Sequence, residues 1–552
     1  MTDQQSARPR VLVADPIAAE GLAILRGFAE VDERAGLGAE GLVDAIPDYD
    51  GLVVRSETKV TAAAIEAGAK LRIIARAGVG VDNIDVEAAT RRGVVVVNSP
   101  TGNIVAAAEH TVALLLALAR RIPIANEALR QGRWERSKFV GAEVRGKTLG
   151  IIGLGRVGSE VARRAGENGL GMRLLAHDPY ASPDNARKLN AELVSLDELL
   201  EQSDFVTVHT VLNAGTRGLL SVDELAKMKP SARIINCARG GVVDEEALLD
   251  ALREGRLAGA ALDVFTTEPP FNSPTLAALI ERPDVVVTPH LGASTEEAQV
   301  SVAVDVAEQM RDVFRGGAPR AAVNAPLILP ETLRQLAPWM ALVEKLGRLY
   351  TQLHPGALKR VEFGVAGEIA QFDTRPLTTA LIKGLLEPVS EAHVNLVNAQ
   401  VVAREWGMEV VESRSTTHEQ YANLVTVRVS PDGDDGEAEQ RILAGTVAWG
   451  EERIVRVDRY LTDFAPRGHL LLARNLDRPG MIGVVGVILG DAGVNIAHMD
   501  VGPVALGDAT GRARQPGGEA LMALSLDDAV PEAALDKIRH ADGIMDVRSV
   551  EL

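Results

Sequence analysis

Three polar residues with complementary chemistry stand at the ends of apolar runs of the sequence: Arg239, Glu268 and His290. The imidazole of a histidine titrates near neutral pH, which suits reversible proton transfer, and a nearby carboxylate would orient the ring and stabilise its charged form. An arginine offers a bidentate fork to a carboxylate. The three residues predict acid–base chemistry on an anionic substrate, although each one alone would also fit a surface charge or a loop cap.

A glycine pattern upstream predicts a bound dinucleotide. Gly153, Gly155 and Gly158 follow an apolar run and open a segment with helical spacing, and a second apolar run ends at Asp178. The glycines would allow a tight turn, the approach of a pyrophosphate to the backbone, and close packing of helix on strand. Free N–H groups at the helix start would bind the phosphates. A carboxylate at Asp178 would accept hydrogen bonds from the adenosine ribose and repel a 2′-phosphate, which favours NAD over NADP.

With a nicotinamide cofactor, these groups complete the set that oxidation of a secondary alcohol requires. The elements that must position them alternate between strand and helix patterns over residues 8–98 and again from Asp178 to His290, which predicts two parallel sheets covered on both faces. Ligands bind at the carboxyl ends of such strands, in this case in a cleft between two domains. Arg55 and Ser56 therefore become candidate lining residues, with a solvated surface arginine as the equal alternative for Arg55.

Three further segments predict packing partners rather than chemistry. The stretch from Asn103 to Arg121 is hydrophobic nearly all round, so we expect a helix buried by protein at a domain or subunit contact. Residues 327–465 predict a separate α/β region without a catalytic constellation, structural or regulatory in role. Residues 468–552 predict a βαββαβ unit whose sheet exposes an edge and commonly pairs with a copy of itself. We therefore expect a homo-oligomer, either a dimer or a tetramer.

The bulk properties of the 552-residue chain exclude several classes of protein. A formal net charge of −18 argues against a nucleic-acid-binding surface and is more simply a solvated acidic surface. The single cysteine, Cys237, excludes an intrachain disulfide and a cysteine-cluster metal site, and it fits a reducing compartment. The first residues lack the apolar core of a signal peptide, and Val112 to Ala119 is too short to span a bilayer. We expect a cytoplasmic protein that needs no metal and binds neither nucleic acid nor membrane.

The segments around these residues resemble the D-2-hydroxyacid dehydrogenase family. The resemblance covers residues 8–318 and rests on the glycine pattern, NCARGGVVDEEAL, AALDVFTTEPP and TPHLGAST. GVGVDNIDVEAAT, TGNIVAAAEH and WERSKFVGAEVRGKTLG are similar to the long-form D-3-phosphoglycerate dehydrogenases within that family. The tail resembles an ACT domain at Asp477 to Gly480 and at Gly493 to Ile496.

The resemblance implies an α/β fold with four domains. The first two, each with a doubly wound parallel sheet, are a flavodoxin-like substrate-binding domain (8–99 and 294–318) and a Rossmann NAD-binding domain (100–293). An α/β intervening domain, a candidate allosteric domain (319–465), and a βαββαβ ACT regulatory domain (468–552) are expected to follow.

The resemblance also implies NAD-dependent oxidation of (R)-3-phosphoglycerate to 3-phosphooxypyruvate, the first step of L-serine biosynthesis. Arg239 would bind the substrate carboxylate, and Glu268 would pair with the acid–base His290. The implied cofactor-binding residues are Val79, Gly153, Gly155, Arg156, Val157, Gly158, Asp178, His209, Thr210, Cys237, Ala238, Arg239, Asp263, His290, Gly292 and Ala293. The implied substrate-binding residues are Arg55, Ser56, Gly78, Asn103, Arg136 and Lys138. The last two would hold the phosphate, from the same or the partner subunit. L-serine would bind between ACT domains through Asn475, Asp477 and Asn495.

Other functions stay open at this point. A glyoxylate or hydroxypyruvate reductase, acting on an unphosphorylated 2-hydroxy or 2-oxo acid, would have no use for the predicted phosphate-binding residues. An NADH-sensing corepressor would keep the fold but would not need the acid–base set. Reduction of 2-oxoglutarate as a further activity is not excluded, and the ACT tail would also suit purely structural dimerisation. His110 is interpreted as a satisfied structural group rather than a catalytic one.

Overall fold

The computed structural model describes residues 8–317, 319–325, 330–391, 393–418, 420–430, 441–504 and 518–552. Within these ranges the chain forms four sheets, and no helix there is long and apolar enough to cross a membrane. An insertion in the ACT sheet, expected from the Gly-rich run Gly507 to Gly518, falls outside the described residues except at its last position.

The first sheet has five parallel strands. The strands are β1 (Arg10–Val13), β2 (Glu30–Glu33), β3 (Gly51–Val54), β4 (Ile73–Arg76) and β5 (Val95–Asn98). The helices between them are α1 (Ala19–Phe28), α2 (Gly38–Ala45), α3 (Ala62–Ala67) and α4 (Val86–Arg92). The order β2-β1-β3-β4-β5 is the flavodoxin-like one, as predicted. Apolar clusters cover both faces of the inner strands, which explains why these strands are continuous apolar runs in the sequence.

The second sheet has seven parallel strands. These are β6 (Thr148–Ile152), β7 (Arg173–His177), β8 (Ala191–Leu193), β9 (Phe205–Val208), β10 (Arg233–Asn236), β11 (Gly259–Leu262) and β12 (Val285–Val287). The helices are α5 (Ile104–Ala119), α6 (Ile122–Arg130), α7 (Arg156–Ala165), α8 (Pro183–Lys188), α9 (Leu196–Gln202), α10 (Val222–Ala226), α11 (Glu245–Arg253) and α12 (Pro274–Ile280). The order β12-β11-β10-β9-β6-β7-β8 confirms the doubly wound Rossmann prediction. The strand order reverses at β6 and β9, which is where such sheets bind ligands.

Two long helices join these sheets. Helix α5 leads from the first sheet into the second and buries the face that carries Ala108, Leu115 and Leu118, while Val105 stays half-exposed. Helix α13 (Glu296–Phe314) returns to the first sheet and lies so close to α1 that a side chain at Gly21 would collide with Ala303. The chain thus passes twice between the sheets, and both crossings run beside the cleft.

The third sheet is mixed and lies in the middle of the chain. Its strands are β13 (Arg360–Gly367), β14 (Glu409–Ser415), β15 (Asn423–Ser430), β16 (Arg441–Ala448), β17 (Glu451–Val457) and β18 (Tyr460–Phe464), in the order β14-β13-β15-β16-β17-β18. Its helices are α14 (Pro330–Leu353), α15 (Arg375–Leu386) and α16 (Ala399–Glu405). Helices α14 and α15 cross with their backbones in contact, because a Cβ at Gly384 would lie 2.0 Å from the Glu344 oxygen.

The fourth sheet confirms the predicted βαββαβ unit. Its elements are β19 (His469–Leu476), α17 (Met481–Asp491), β20 (Ile496–Pro503), β21 (Glu519–Leu526), α18 (Glu532–Arg539) and β22 (Ile544–Glu551), with strand order β20-β21-β19-β22. The edge strands of this sheet are β20 and β22, and one of them is partly covered. Strand β18 covers the end of β20 within the same chain: the Asp500 carboxylate accepts the Thr462 hydroxyl (2.6 Å) and the Asp463 amide (3.0 Å), and Tyr460 pairs with Val504.

Candidate active site

A cleft of about 400 Å³ lies between the first and second sheets, at the carboxyl ends of their strands. It brings together most of the residues predicted for substrate and cofactor. These are Arg55, Ser56, Gly78, Val79, Asn103, Val157, His209, Thr210, Cys237, Ala238, Arg239, Asp263, His290, Gly292 and Ala293. Residues up to 238 positions apart, from Arg55 to Ala293, thus share one cavity, because the strands of both sheets end beside it.

His290 and Glu268 form the expected acid–base pair by geometry. The Nδ1 atom of His290 lies 2.9 Å from Glu268 Oε2, and Glu268 Oε1 accepts the Phe265 amide at 3.1 Å. Burial opposes the charge on Glu268, but the hydrogen bonds from His290 and the Phe265 amide outweigh it and lower the pKa of the carboxyl group. An ionised carboxylate can only accept, so Nδ1 carries a proton and Nε2 is the ring atom left for a reacting group.

Arg239 spans the cleft. Its Nε donates to the carboxylate of Asp82 in the loop between β4 and α4 (2.9 Å), and its Nη1 donates to the Ala238 carbonyl (2.7 Å). Its Nη2 lies against Gly80, where a Cβ would be only 1.9 Å away. The absence of a side chain at Gly80 therefore lets the guanidinium reach the loop after β4.

A further arginine lines the same cleft, and sequence reasoning missed it. Arg76 ends β4, and its buried Nε has no hydrogen-bond partner among the described residues. Burial and the neighbouring charge of Arg239 lower the pKa of Arg76 to about 10. The rule that selected Arg55, a polar residue at the carboxyl end of an apolar run, would also have selected Arg76. Three guanidinium groups thus surround one cavity, which suits a substrate with more than one negative charge.

The turn between β6 and α7, next to the cleft, has the geometry that the glycine pattern predicts. Gly153 turns with φ +93°, and a Cβ at Gly158 would lie 2.1 Å from the Gly153 oxygen, so helix α7 packs directly on its strand. A Cβ at Gly155 would meet no atom within 4 Å, so the backbone there is open to a phosphate. Arg156, the first residue of α7, donates to the Pro100 carbonyl at 3.2 Å.

Asp178 follows β7 and is held by the backbone. Its Oδ2 accepts the Leu154 amide and its Oδ1 accepts the Tyr180 amide, both at 2.9 Å. A carboxylate has about four acceptor sites, so two remain for a ribose diol.

Substitution of Asp178 is expected to change cofactor use. Asp178→Ala should raise the KM for NAD roughly tenfold to a hundredfold, because hydrogen bonds to a charged group contribute about 1.5–3 kcal/mol. It should also reduce the preference of the enzyme for NAD over NADP, because the carboxylate that repels a 2′-phosphate is removed. Steady-state kinetics with both cofactors measure this. The exposed Asp197→Asn is the matched control, and an unchanged KM for NAD in Asp178→Ala would contradict the assigned role.

Unpartnered polar atoms in the cleft test whether it fits NAD and an anionic substrate. Thr210 Oγ1, Asn103 Oδ1 and Arg76 Nε are buried and lack hydrogen-bond partners in the described part of the chain. Buried polar atoms are rarely left unsatisfied in folded proteins, so these three indicate a site built for polar ligands. The residues present therefore fit the dinucleotide.

Other predicted residues lie outside the cleft. Arg136 and Lys138 stand on an exposed short turn, Arg136–Phe139, where Lys138 pairs with Glu135 at 2.8 Å. In the ACT domain Asn475 is only 3% exposed, Asn495 donates to Asp527 at 2.7 Å, and Asp477 is exposed.

The fold and the site define the chain as an NAD-dependent dehydrogenase of the 2-hydroxyacid class. Family models match three parts of it: the NAD-binding domain of D-isomer specific 2-hydroxyacid dehydrogenases (residues 112–292), the D-3-phosphoglycerate dehydrogenase intervening domain (335–458) and the ACT domain (469–541). A glyoxylate reductase from Paecilomyes thermophila is 31% identical and superposes with a TM-score of 0.53, over 58% of this chain and 99% of that one.

Relatives that match over nearly the whole chain identify one family within this class of dehydrogenases. D-3-phosphoglycerate dehydrogenase of Synechocystis is 45% identical over 98% of this chain and 95% of its own length, and the Methanocaldococcus jannaschii enzyme is 43% identical over 98% and 100%. The chain therefore belongs to the D-3-phosphoglycerate dehydrogenase family. The predictions of an oxidoreductase, of NAD as its cofactor and of an ACT domain are confirmed.

Proposed function

We propose that this chain oxidises (R)-3-phosphoglycerate to 3-phosphooxypyruvate with NAD, the first step of L-serine biosynthesis. Its full-length relatives carry the name D-3-phosphoglycerate dehydrogenase, which supports the reaction. The structural observation that carries the substrate is the group of Arg55, Arg76 and Arg239 around one cleft. A carboxylate and a phosphate on the same small molecule would use this charge, whereas glycerate or glyoxylate would leave part of it unpaired.

The proposed chemistry follows from the positions of the side chains. Arg239 binds the substrate carboxylate, and His290 Nε2 accepts the proton of the C2 hydroxyl as the C2 hydrogen departs with its electron pair. Bound NAD supplies the acceptor for that hydride. The imidazolium that forms is stabilised by the Glu268 carboxylate on Nδ1, and in the reverse direction it returns the proton.

The three guanidinium groups should give the enzyme a preference for the phosphorylated acid, and a variant that lacks one of them should weaken that preference. Arg76→Leu should lower kcat/KM for 3-phosphoglycerate about tenfold to a hundredfold, the loss of a charged hydrogen-bond donor, and should affect D-glycerate less. NADH formation with each acid measures the ratio. Arg72→Leu, directly before the opposite end of the same strand, is the control. A wild-type enzyme that prefers D-glycerate would refute the proposed substrate.

We propose that L-serine regulates the enzyme at the ACT domain. Exposed Asp477 lies in the turn before α17, and Asn495 directly precedes β20. Calorimetry and inhibition assays at millimolar serine should detect binding and a lower rate, and Asp477→Asn should raise the inhibition constant about tenfold through loss of a charged partner. Asp491→Asn, at the far end of α17, is the control. Absence of both binding and inhibition would leave the ACT domain a dimerisation module.

We also propose a cytoplasmic homo-oligomer with the four domains bounded as predicted. Large apolar side chains are exposed around the turn that carries Arg136 and Lys138, among them Trp134 (76%) and Val140 (75%). Such a patch favours contact with a second copy. In that assembly the two basic residues would reach the phosphate bound by the partner, which one chain alone does not provide.

A further inference from the structure

The buried carboxylate of Asp263 organises the turn that carries His290. Asp263 is only 1% exposed at its side chain, and it accepts the Thr288 hydroxyl (2.6 Å), the Leu291 amide (2.7 Å) and the Gly292 amide (2.9 Å). These three donors all belong to the turn after β12, so the turn is wrapped around one carboxylate.

A fourth polar contact comes from a different element. His110, on helix α5, places Nε2 at 3.2 Å from Asp263 Oδ1 and at 3.1 Å from the Thr288 hydroxyl oxygen. The residues are 153 and 178 positions apart in the sequence. Helix α5 therefore contacts the turn after β12 through the His110 side chain.

The hydrogen-bond partners of His110 determine which of its ring nitrogens carries the proton. Burial opposes ionisation of Asp263, but hydrogen bonds from His110, Thr288 and Leu291 outweigh it and lower the pKa of the carboxyl group. The single hydroxyl proton of Thr288 points at Asp263, so the hydroxyl oxygen and the carboxylate both face His110 as acceptors. Nε2 must carry the proton that both of them share.

The turn needs such support because its backbone is strained. His290 has φ +56°, a left-handed conformation that is unfavourable for a residue with a side chain, and its amide donates to the Asp263 carbonyl (2.9 Å). Strained residues persist where their surroundings hold them in place. The contacts of Asp263 and Thr288 are the ones that do so.

We propose that His110 is a positioning residue for catalysis, which acts through Asp263 and Thr288 to hold the His290 turn. By the same contacts it holds Gly292, which lines the cleft and is one of the predicted cofactor-binding residues. The proposal rests on the proposed acid–base role of His290, but it does not depend on which 2-hydroxy acid is the substrate.

Three variants of the full-length enzyme test the proposal. His110→Ala should lower kcat roughly thirtyfold and raise the NADH dissociation constant roughly fivefold, with the substrate KM changed less than threefold, because a buried acceptor loses its donor. His110→Gln, whose amide N–H can reach the same acceptors, should stay within about threefold of wild type. Glu109→Gln, the exposed neighbour on α5, should match wild type. NADH fluorescence titration and steady-state kinetics supply the values.

A purely structural histidine would give a different pattern. His110→Ala would then melt at a lower temperature, while kcat per folded molecule and NADH binding stayed within twofold of wild type, and that result would overturn the proposal. A His110→Gln enzyme as impaired as His110→Ala would also overturn it. If His110→Ala does not fold, Thr288→Val and Thr288→Ser replace it as the pair without and with the hydroxyl, with the same expected contrast.

The same experiments separate this proposal from the proposed substrate. Failure of the wild-type enzyme to oxidise 3-phosphoglycerate would refute the substrate alone. The NADH dissociation constants of the variants would still decide the role of His110, because they need no substrate.

Discussion

Replacement of His290 by alanine should lower kcat by about three orders of magnitude while NADH still binds. General acid–base catalysis contributes about 10²–10⁴-fold, and in this cleft His290 Nε2 is the atom left to take the hydroxyl proton. NADH fluorescence titration should give a dissociation constant within about threefold of wild type, since the phosphate-binding glycines and Asp178 are untouched.

Two further variants make the His290 result specific. Glu268→Gln keeps the shape of the partner but removes the charge that stabilises the imidazolium, so kcat should fall about tenfold to a hundredfold. His540→Ala, in an exposed position after α18, should leave kcat unchanged. Activity of His290→Ala above a tenth of the wild-type level would rule out the proposed mechanism.

The second large effect concerns the substrate. Arg239→Leu should raise the KM for 3-phosphoglycerate about a hundredfold to a thousandfold, because a bidentate charge-assisted contact to the carboxylate is lost. Arg239→Lys should recover only part of this loss, since an ammonium group is a point charge without the planar fork. Initial-rate kinetics at saturating NAD measure both.

The control for Arg239 comes from the same domain. Arg253→Leu, on the outer helix α11, removes an equal charge far from the cleft and should leave the KM unchanged. A normal KM in Arg239→Leu would contradict the role of Arg239 and leave Arg55 or Arg76 as the residue that binds the substrate carboxylate. The same assay on variants of those two residues would then show which one binds it.

The sequence predicts the parts of the site that local structure creates. Gly153, Gly155 and Asp178 could be predicted because a single strand–turn–helix–strand segment places all three of them. Arg239, Glu268 and His290 could be predicted as polar residues at the ends of strands, and the resemblance to the dehydrogenase family implies their roles. Arg76 ends β4 and satisfies the same strand-end rule, although the sequence prediction did not include it.

Contacts between distant segments could not be predicted from spacing. The Arg239–Asp82 pair joins residues 157 positions apart, and the cover of β20 by β18 depends on how two separate sheets meet. Strand β2 was also missed: its sequence, EVDE, lacks an apolar run because an edge strand of a sheet faces solvent. Such features arise from tertiary packing, which a single sequence does not encode in any short pattern.

In the enzyme without substrate, the guanidinium of Arg239 already binds a carboxylate of the protein itself, that of Asp82. One carboxylate occupies an edge of the guanidinium before any acid arrives, so binding is an exchange of one carboxylate for another rather than the filling of an empty site. A simple monocarboxylate that binds Arg239 displaces the Asp82 contact, which weakens its net affinity but leaves Arg239 as its main partner. A molecule that also engages Arg55 or Arg76 gains contacts that Asp82 does not offer, and selection among acids follows from that competition.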